Sequence, residues 1–260
     1  MIIDTHCHLD DDCYDSDREE LISSLVLNNV ESAFVIGTDI ASNKEILGLV
    51  EKYDNLFAVL GLYPEYAQSY NSQFEDFILQ NATHPKVVGI GEIGLDYHSE
   101  NFDAEKQKEV LLKQMIIADK LSLPLCIHVR EAFGDLLEFF KLNKQYLNNG
   151  GVIHCFSGSP EVAKQFTDLG FKLGFGGVCT FKNAKKVVDT LQVIDVKDIL
   201  LETDAPYLCP APFRGSRNEP KYTNLVLQKI AEIKNLKIED LEKQIYQNTL
   251  EVFKKYKRVI

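Results

Sequence analysis

Short apolar runs recur along the chain, and the segments between them carry apolar residues at helical spacing. The first run, Ile2-Ile3-Asp4-Thr5-His6, predicts a strand; residues 15–29 then place Leu21, Ile22, Leu25 and Val26 on one helical face behind Asp and Ser caps. Further strands are predicted over 33–37, 56–62, 87–91, 124–128, 151–154, 171–175 and 199–201. Helical patterns fall between them, around 46–50, 74–79, 103–121, 131–147, 160–169 and 183–191. Two more, 225–233 and 241–256, close the chain.

Unbroken apolar strands alternating with amphipathic helices predict a parallel sheet covered by helices. Eight such units in 260 residues favour a closed (β/α)8 TIM barrel, one α/β domain spanning 1–260, with an additional C-terminal helix. An open doubly wound sheet needs a glycine-rich nucleotide turn after the first strand, and that position holds His6-Cys7-His8. The one irregular stretch is 206–221, which contains four of the eight prolines and reads as a long loop after the last strand.

Composition narrows the class. With 28 Lys+Arg against 39 Asp+Glu the net charge is −11, which opposes broad adhesion to nucleic acid or anionic lipid but permits a local cationic site, above all one supplied by metal ions. No apolar run is long enough to cross a bilayer and Asp4 follows Met1 closely, so a cytoplasmic enzyme without membrane contact or an obligatory protein partner is expected. The six cysteines are scattered without CxxC spacing, which predicts reduced thiols; Cys126 and Cys155, inside apolar stretches, read as small buried hydrophobes.

Chemistry collects where strands end. Strand one ends in His6-Cys7-His8, and in extended chain the two imidazoles point to one side and can share an ion. Glu92, His128, His154 and the Glu202-Thr203-Asp204 run stand at other strand ends, which converge on one mouth of a barrel. Six candidate ligands exceed the need of one catalytic ion. Two ions sharing Glu92 use the set economically, with His6, His8 and Asp204 holding one and His128 and His154 the other. The histidine content suits Zn²⁺, Mn²⁺, Co²⁺ or Fe²⁺ better than Mg²⁺. His84 and His98 lie in connections and are expected to be bystanders.

Asp4-Thr5-His6-Cys7-His8-Leu9-Asp10 resembles the N-terminal signature of the TatD family of metal-dependent deoxyribonucleases, as do 89–97, 127–132, His154-Cys155-Phe156-Ser157-Gly158, 201–208 and 214–220. The resemblance implies an amidohydrolase-like barrel with a binuclear site of His6, His8, Glu92, His128, His154 and Asp204. It also implies hydrolysis of DNA phosphodiesters, with nucleotides removed from the 3′ end of a single strand. One departure stands out: the family's Gly-x-His-Pro after strand three reads Gly61-Leu62-Tyr63-Pro64 here, so Tyr63 occupies the place of a substrate-facing His.

The expected mechanism has water or hydroxide attacking phosphorus between two divalent ions (Zn²⁺, Mn²⁺, Mg²⁺ or Co²⁺), with Glu92 bridging them and Asp204 as ligand and proton acceptor. Arg130, Glu202, Tyr63, Arg214 and Arg217 are candidate substrate contacts; the alternatives are a place behind a metal ligand or a structural role for Glu202, a salt bridge from Arg217 to Glu219, and an ion pair of Arg130 with a neighbouring carboxylate. Lys221 adds to the basic loop, and Asp96 is a candidate orienter of a ligand His. Phe156, Tyr207 and Phe213 are candidate stacking surfaces for a base, or pack the loop. The competing activity is metal-dependent hydrolysis of an amide or ester, such as an aminoacyl-tRNA. Barrels of that kind often bridge their ions with a carboxylated lysine on strand four, where this chain offers Glu92 and keeps Lys86 at the strand's beginning.

Overall fold

The structure, a computed structural model, describes residues 1–257; positions 258–260 of the expected domain span lie outside the described residues. One sheet runs β1 Ile2–Cys7, β2 Val30–Ile36, β3 Leu56–Leu60, β4 Val87–Asp96, β5 Leu125–Arg130, β6 Gly151–Ile153, β7 Phe171–Phe175 and β8 Ile199–Leu201, in sequence order with parallel neighbours. The helices between are α1 Arg18–Ser24, α2 Ile40–Lys52, α3 Ser72–Asn81, α4 Ala104–Leu121, α5 Phe133–Leu142, α6 Pro160–Asp168 and α7 Lys185–Val193. After β8 come α8 Thr223–Lys234 and the extra helix α9 Ile238–Val252. The sheet closes just past β8, where Cys7 bridges to Ala205 and the Asp204 N–H donates to the His6 carbonyl at 2.9 Å. This is the (β/α)8 barrel that the alternation predicts.

Both faces of each strand are covered, which is why the strands read as continuous apolar runs. One set, including Val35, Ala58, Ile90, Ile127 and Ile153, packs under the helices. The alternate set, Ile3, Phe34, Phe57, Val59, Val88, Cys126, Val152 and Leu200, fills the barrel interior. Phe253 and Tyr256, just beyond α9, plug the end opposite the strand C-termini: Phe253 lies 4.8 Å from the Phe34 ring and Tyr256 4.7 Å from that of Phe57. Burying an aromatic side chain contributes on the order of 2–3 kcal/mol, so the extra helix is part of the core.

Four strands are longer than their apolar runs, β2 and β4 by the most. β2 begins at Val30 because the buried Glu31 accepts hydrogen bonds from Tyr246 and Tyr256, each at 2.9 Å. β4 runs through Asp96 because it pairs with β5 as far as Asp96 opposite Arg130. Two expected helices are shorter: 15–29 breaks into α1 and a 3₁₀ turn ending at Asn29 in the left-handed region, and 131–147 stops at Asn143. Among the described residues no helix is long and apolar enough to cross a membrane.

Candidate metal centre

The β4–β5 register explains how Glu92 comes to face the barrel axis. Ile90 pairs with Leu125 and Ile93 with Ile127, so β4 carries one more residue than β5 between the two pairs. Such a bulge kinks a strand and re-aims a side chain. It needs a close approach: a Cβ on Gly91 would stand 2.5 Å from both the Cβ and the carbonyl oxygen of Cys126. Glycine is the residue that fits. β1 has a similar irregularity between Asp4 and Cys7, beside His6.

The two oxygens of the buried Glu92 face different partners. Oε2 lies 3.5 Å from His6 Nε2 and 3.7 Å from His8 Nε2; those two nitrogens are 3.3 Å apart, and Asp204 Oδ1 is 3.7 and 3.5 Å from them. Oε1 lies 2.9 Å from His128 Nδ1 and 3.8 Å from His154 Nε2, which is also 3.8 Å from Asp204 Oδ1. The six residues therefore form two half-sites that meet at Glu92, with Asp204 Oδ1 also within 3.8 Å of histidines of both. Tetrahedral coordination at the bond lengths of zinc sites puts neighbouring donor atoms about 3.4 Å apart, close to the spacing of the His6, His8, Glu92 and Asp204 group.

Each imidazole is turned from its far side. The His8 Nδ1 lies 3.0 Å from the Ile36 carbonyl and so donates there, turning Nε2 inward. His6 Nδ1 contacts Cys126 Sγ at 3.3 Å. His128 is held the other way round, with Nε2 at 2.9 Å from Asp96 Oδ2 and Nδ1 facing Glu92. His154 Nδ1 lies 3.2 Å from Glu202 Oε1, and the same oxygen accepts the Cys155 N–H at 2.5 Å. The Ile36 carbonyl and the Asp96 carboxylate are partners of the kind that fix tautomer and ring direction in metal sites, while Glu202 faces His154 as a neighbouring charge.

The electrostatics favour a cation. Burial lowers the His8 pKa, but the hydrogen bond to Asp204 and the charges of Glu92 and Asp204 outweigh it and push it up to about 9. Burial opposes protonation of His154 too, yet Glu202, Asp204 and Glu92 push it up to about 10. Glu92 is raised by burial but held well below the carboxylate range by His128 and His6. A pocket that draws protons onto two buried imidazoles draws a divalent ion as well. Donor types, spacing and field all fit the implied metal group.

Asp4, outside the expected set, supports the floor. It accepts from the Thr203 N–H and hydroxyl at 2.9 and 2.6 Å and faces the His6 N–H at 3.3 Å, and burial raises its carboxyl to about 8 despite those bonds. Asn218 also escaped the sequence reading. Its amide donates to the carbonyls of Thr203 and Tyr207 at 2.8 and 2.6 Å, tying the proline-rich loop to the end of β8. The available signal was only its place in a motif.

A cleft of about 680 Å³ opens above the centre, lined among others by His8, Glu92, His128, His154, Asp204, Arg130, Tyr63 and Tyr207. Arg130 is exposed and makes no side-chain ion pair or hydrogen bond among the described residues; it is the one Lys or Arg lining the cleft. The other expected substrate contacts are corrected. Glu202 is fully buried behind His154 and cannot meet substrate. Arg217 grips Asp17 through two bonds of 2.7 and 2.5 Å, contacts Glu219 and covers the Tyr14 ring; Arg214 lies over Phe181, and neither lines the cleft.

Tyr63 does line the cleft, but its hydroxyl donates to Asp96 at 2.9 Å and sits 3.1 Å from His128 Nε2, so it steadies those groups. Lys221 pairs with Glu219 at 2.5 Å. Phe156 is buried against Phe133, Phe166 and Phe175, and Phe213 stacks on Tyr222, leaving the half-exposed Tyr207 at the cleft. Cys155 departs from its expected burial and lines the cleft beside His154 and Asp204, whereas Cys126 is buried. All six thiols are free. His84 and His98 pair with Glu51 and Glu131 away from the centre. Lys86 donates to the carbonyls of Val50 and Tyr53 at the far end of β4 and is no bridging group.

Replacing Glu202 by Gln keeps an oxygen for the Cys155 N–H and removes the charge facing His154. Metal affinity is expected to fall about 10–100-fold, measured by competition with a chromogenic chelator. An unchanged affinity means that Glu202 does not position His154.

A closed parallel barrel with a histidine- and carboxylate-rich centre at its strand C-termini defines the class as a metal-dependent hydrolase. A family model described as TatD related DNase matches residues 3–254. The chain is 39% identical over 254 residues to the uncharacterized metal-dependent hydrolase YabD of Bacillus subtilis, covering 98% of this chain and 99% of that one. It is 31% identical to the TatD homologue YjjV of Escherichia coli, whose crystal structure superposes with a TM-score of 0.92 over 97% of this chain and 98% of that one. A TatD family hydrolase from Entamoeba histolytica, 23% identical with 98% and 99% covered, shares the fold at a TM-score of 0.87. The chain belongs to the TatD family of metal-dependent hydrolases.

Proposed function

We propose that this protein hydrolyses DNA phosphodiester bonds, removing nucleotides from the 3′ end of a single strand, with two divalent cations held at the barrel mouth. The observation that carries the reading is the division of Glu92, one oxygen toward His6 and His8 and the other toward His128 and His154. His6, His8 and Asp204 would hold one ion and His128 and His154 the other, with Glu92 common to both. When bound, such ions polarise a phosphoryl oxygen and make water more acidic. DNA as substrate is supported by the description of the matching family.

The chain's own groups divide the remaining work. Asp204 is 14% exposed at the cleft floor and takes the proton from the attacking water, since its carboxylate is ionised and faces the reacting space. Arg130 contacts a phosphate oxygen of the bound strand. Tyr63 and Asp96 hold His128 in place. Asp10 and Asp11 on the cleft wall repel phosphate unless cations are present, so binding as well as chemistry depends on metal.

The test is an assay of chelator-stripped and reloaded protein on a 3′-labelled single strand, alongside ester and cyclic-amide substrates. Release of the labelled terminal nucleotide is expected only after Mn²⁺, Zn²⁺ or Mg²⁺ is restored. Metal-dependent turnover of the esters or amides with intact DNA would replace the proposal by an amide or ester hydrolase.

A further inference from the structure

An aromatic path leads out of the centre. The Tyr63 ring lies 4.8 Å from His128 and the Tyr66 ring 6.2 Å from Tyr63, both edge-on. Tyr66 is 47% exposed and lines both the main cleft and a second cavity of about 520 Å³. That cavity lies between α2, the turn after β3, and α3. Its apolar wall includes Phe74 and Phe77, and among the described residues Lys44 is its sole Lys or Arg.

The polar groups there divide into used and unused. Asp39 is occupied as the cap of α2, accepting from the N–H groups of Ala41 and Ser42, and Asn71 caps α3. Lys44 and Gln73 are exposed, and neither side chain has a hydrogen bond or ion pair among the described residues. In a chain of charge −11, an unpaired lysine beside an aromatic wall is matched to a phosphate attached to a flat ring. A purely apolar ligand would leave Lys44 unused, and an anionic peptide would leave the aromatic ridge unused.

The geometry points to this cavity as a second nucleotide subsite: Tyr66 is the ridge between two successive nucleotides, and Lys44 contacts the phosphate beyond it. The inference rests on the proposed action on single-stranded nucleic acid and extends it to the nucleotide on the far side of Tyr66 from the bond cut. Stacking tolerates any base, so the subsite sets a minimum strand length without reading sequence.

The metal-loaded enzyme is assayed on single-stranded hexathymidylate and on methyl 4-nitrophenyl phosphate, a diester without a nucleotide. Tyr66→Ala is expected to raise KM for the hexamer about tenfold, while Tyr66→Phe, which keeps the ring, stays near wild type. Lys44→Ala is expected to raise KM and to reduce the slope of log kcat/KM against log salt by about 0.7, one phosphate contact on a single strand. Both alanine variants keep kcat/KM on the aryl diester within about twofold, which is small beside the tenfold effect. An equal loss on both substrates, or no loss on the hexamer, overturns the subsite. If wild type cleaves the aryl diester and no oligonucleotide, the nucleic-acid reading fails first and takes the subsite with it; if it cleaves both and the variants match it, only the subsite fails.

Discussion

Glu92→Ala is expected to lower hydrolysis by on the order of 10³-fold or more and to strip metal from both half-sites. Asp204 Oδ1 also lies within 3.8 Å of His6, His8 and His154, but Glu92 presents a separate oxygen to each half. Its Oε2 is within 3.7 Å of the inward nitrogens of His6 and His8, and its Oε1 is 2.9 Å from His128 Nδ1. Removing it separates the halves and leaves His128 facing a gap. Glu92→Gln is the sharper comparison, because it preserves shape while turning an NH₂ toward one set of lone pairs and thus disables one half preferentially. Metal content by elemental analysis, read beside turnover, checks both variants. Two equivalents of metal in Glu92→Ala, or turnover within tenfold of wild type, would remove the bridging role.

Asp204→Asn is expected to reduce kcat by about 10²–10⁴-fold, the range for loss of a positioned general base. The substitution is nearly isosteric, and the backbone bond from residue 204 to the His6 carbonyl does not depend on the side chain. What disappears is the charge beside His8 and the capacity to take a proton. Metal bound by His128 and His154 should remain, so content falls toward one equivalent. Single-turnover and steady-state rates separate the outcomes. A loss confined to KM means that Asp204 serves binding alone, because removing a base acts on the chemical step.

The residues of the centre and their supports differ in how openly they show in sequence. His6, His8, Glu92, His128, His154 and Asp204 were legible because each stands at or near the end of an apolar run, and a barrel brings such positions together. Their supports were less legible. Glu202 looked like a substrate contact because an extended chain places it on the same side as Asp204, yet β8 has ended at Leu201 and the side chain turns into the core behind His154. Arg217 looked like a phosphate contact because nothing local revealed Asp17, 200 residues away in the chain. Glu31 and Ser32 masked the start of β2 because their partners, Tyr246 and Tyr256, arrive from the other end of the molecule.

By itself the sequence determined the alternation of buried strands and covering helices, and hence the barrel and the mouth at which its polar ends meet. Those are properties of periodicity and of where apolar runs stop. Tertiary structure alone decided which charges remain free and which are neutralised. It paired Arg217 and buried Glu202, left Arg130 and Lys44 unmatched among the described residues, and bulged β4 so that one carboxylate faces two sets of histidines. The physical reason is that a charge's role depends on solvent and partners within a few ångströms, and those neighbours come from segments far apart in the chain.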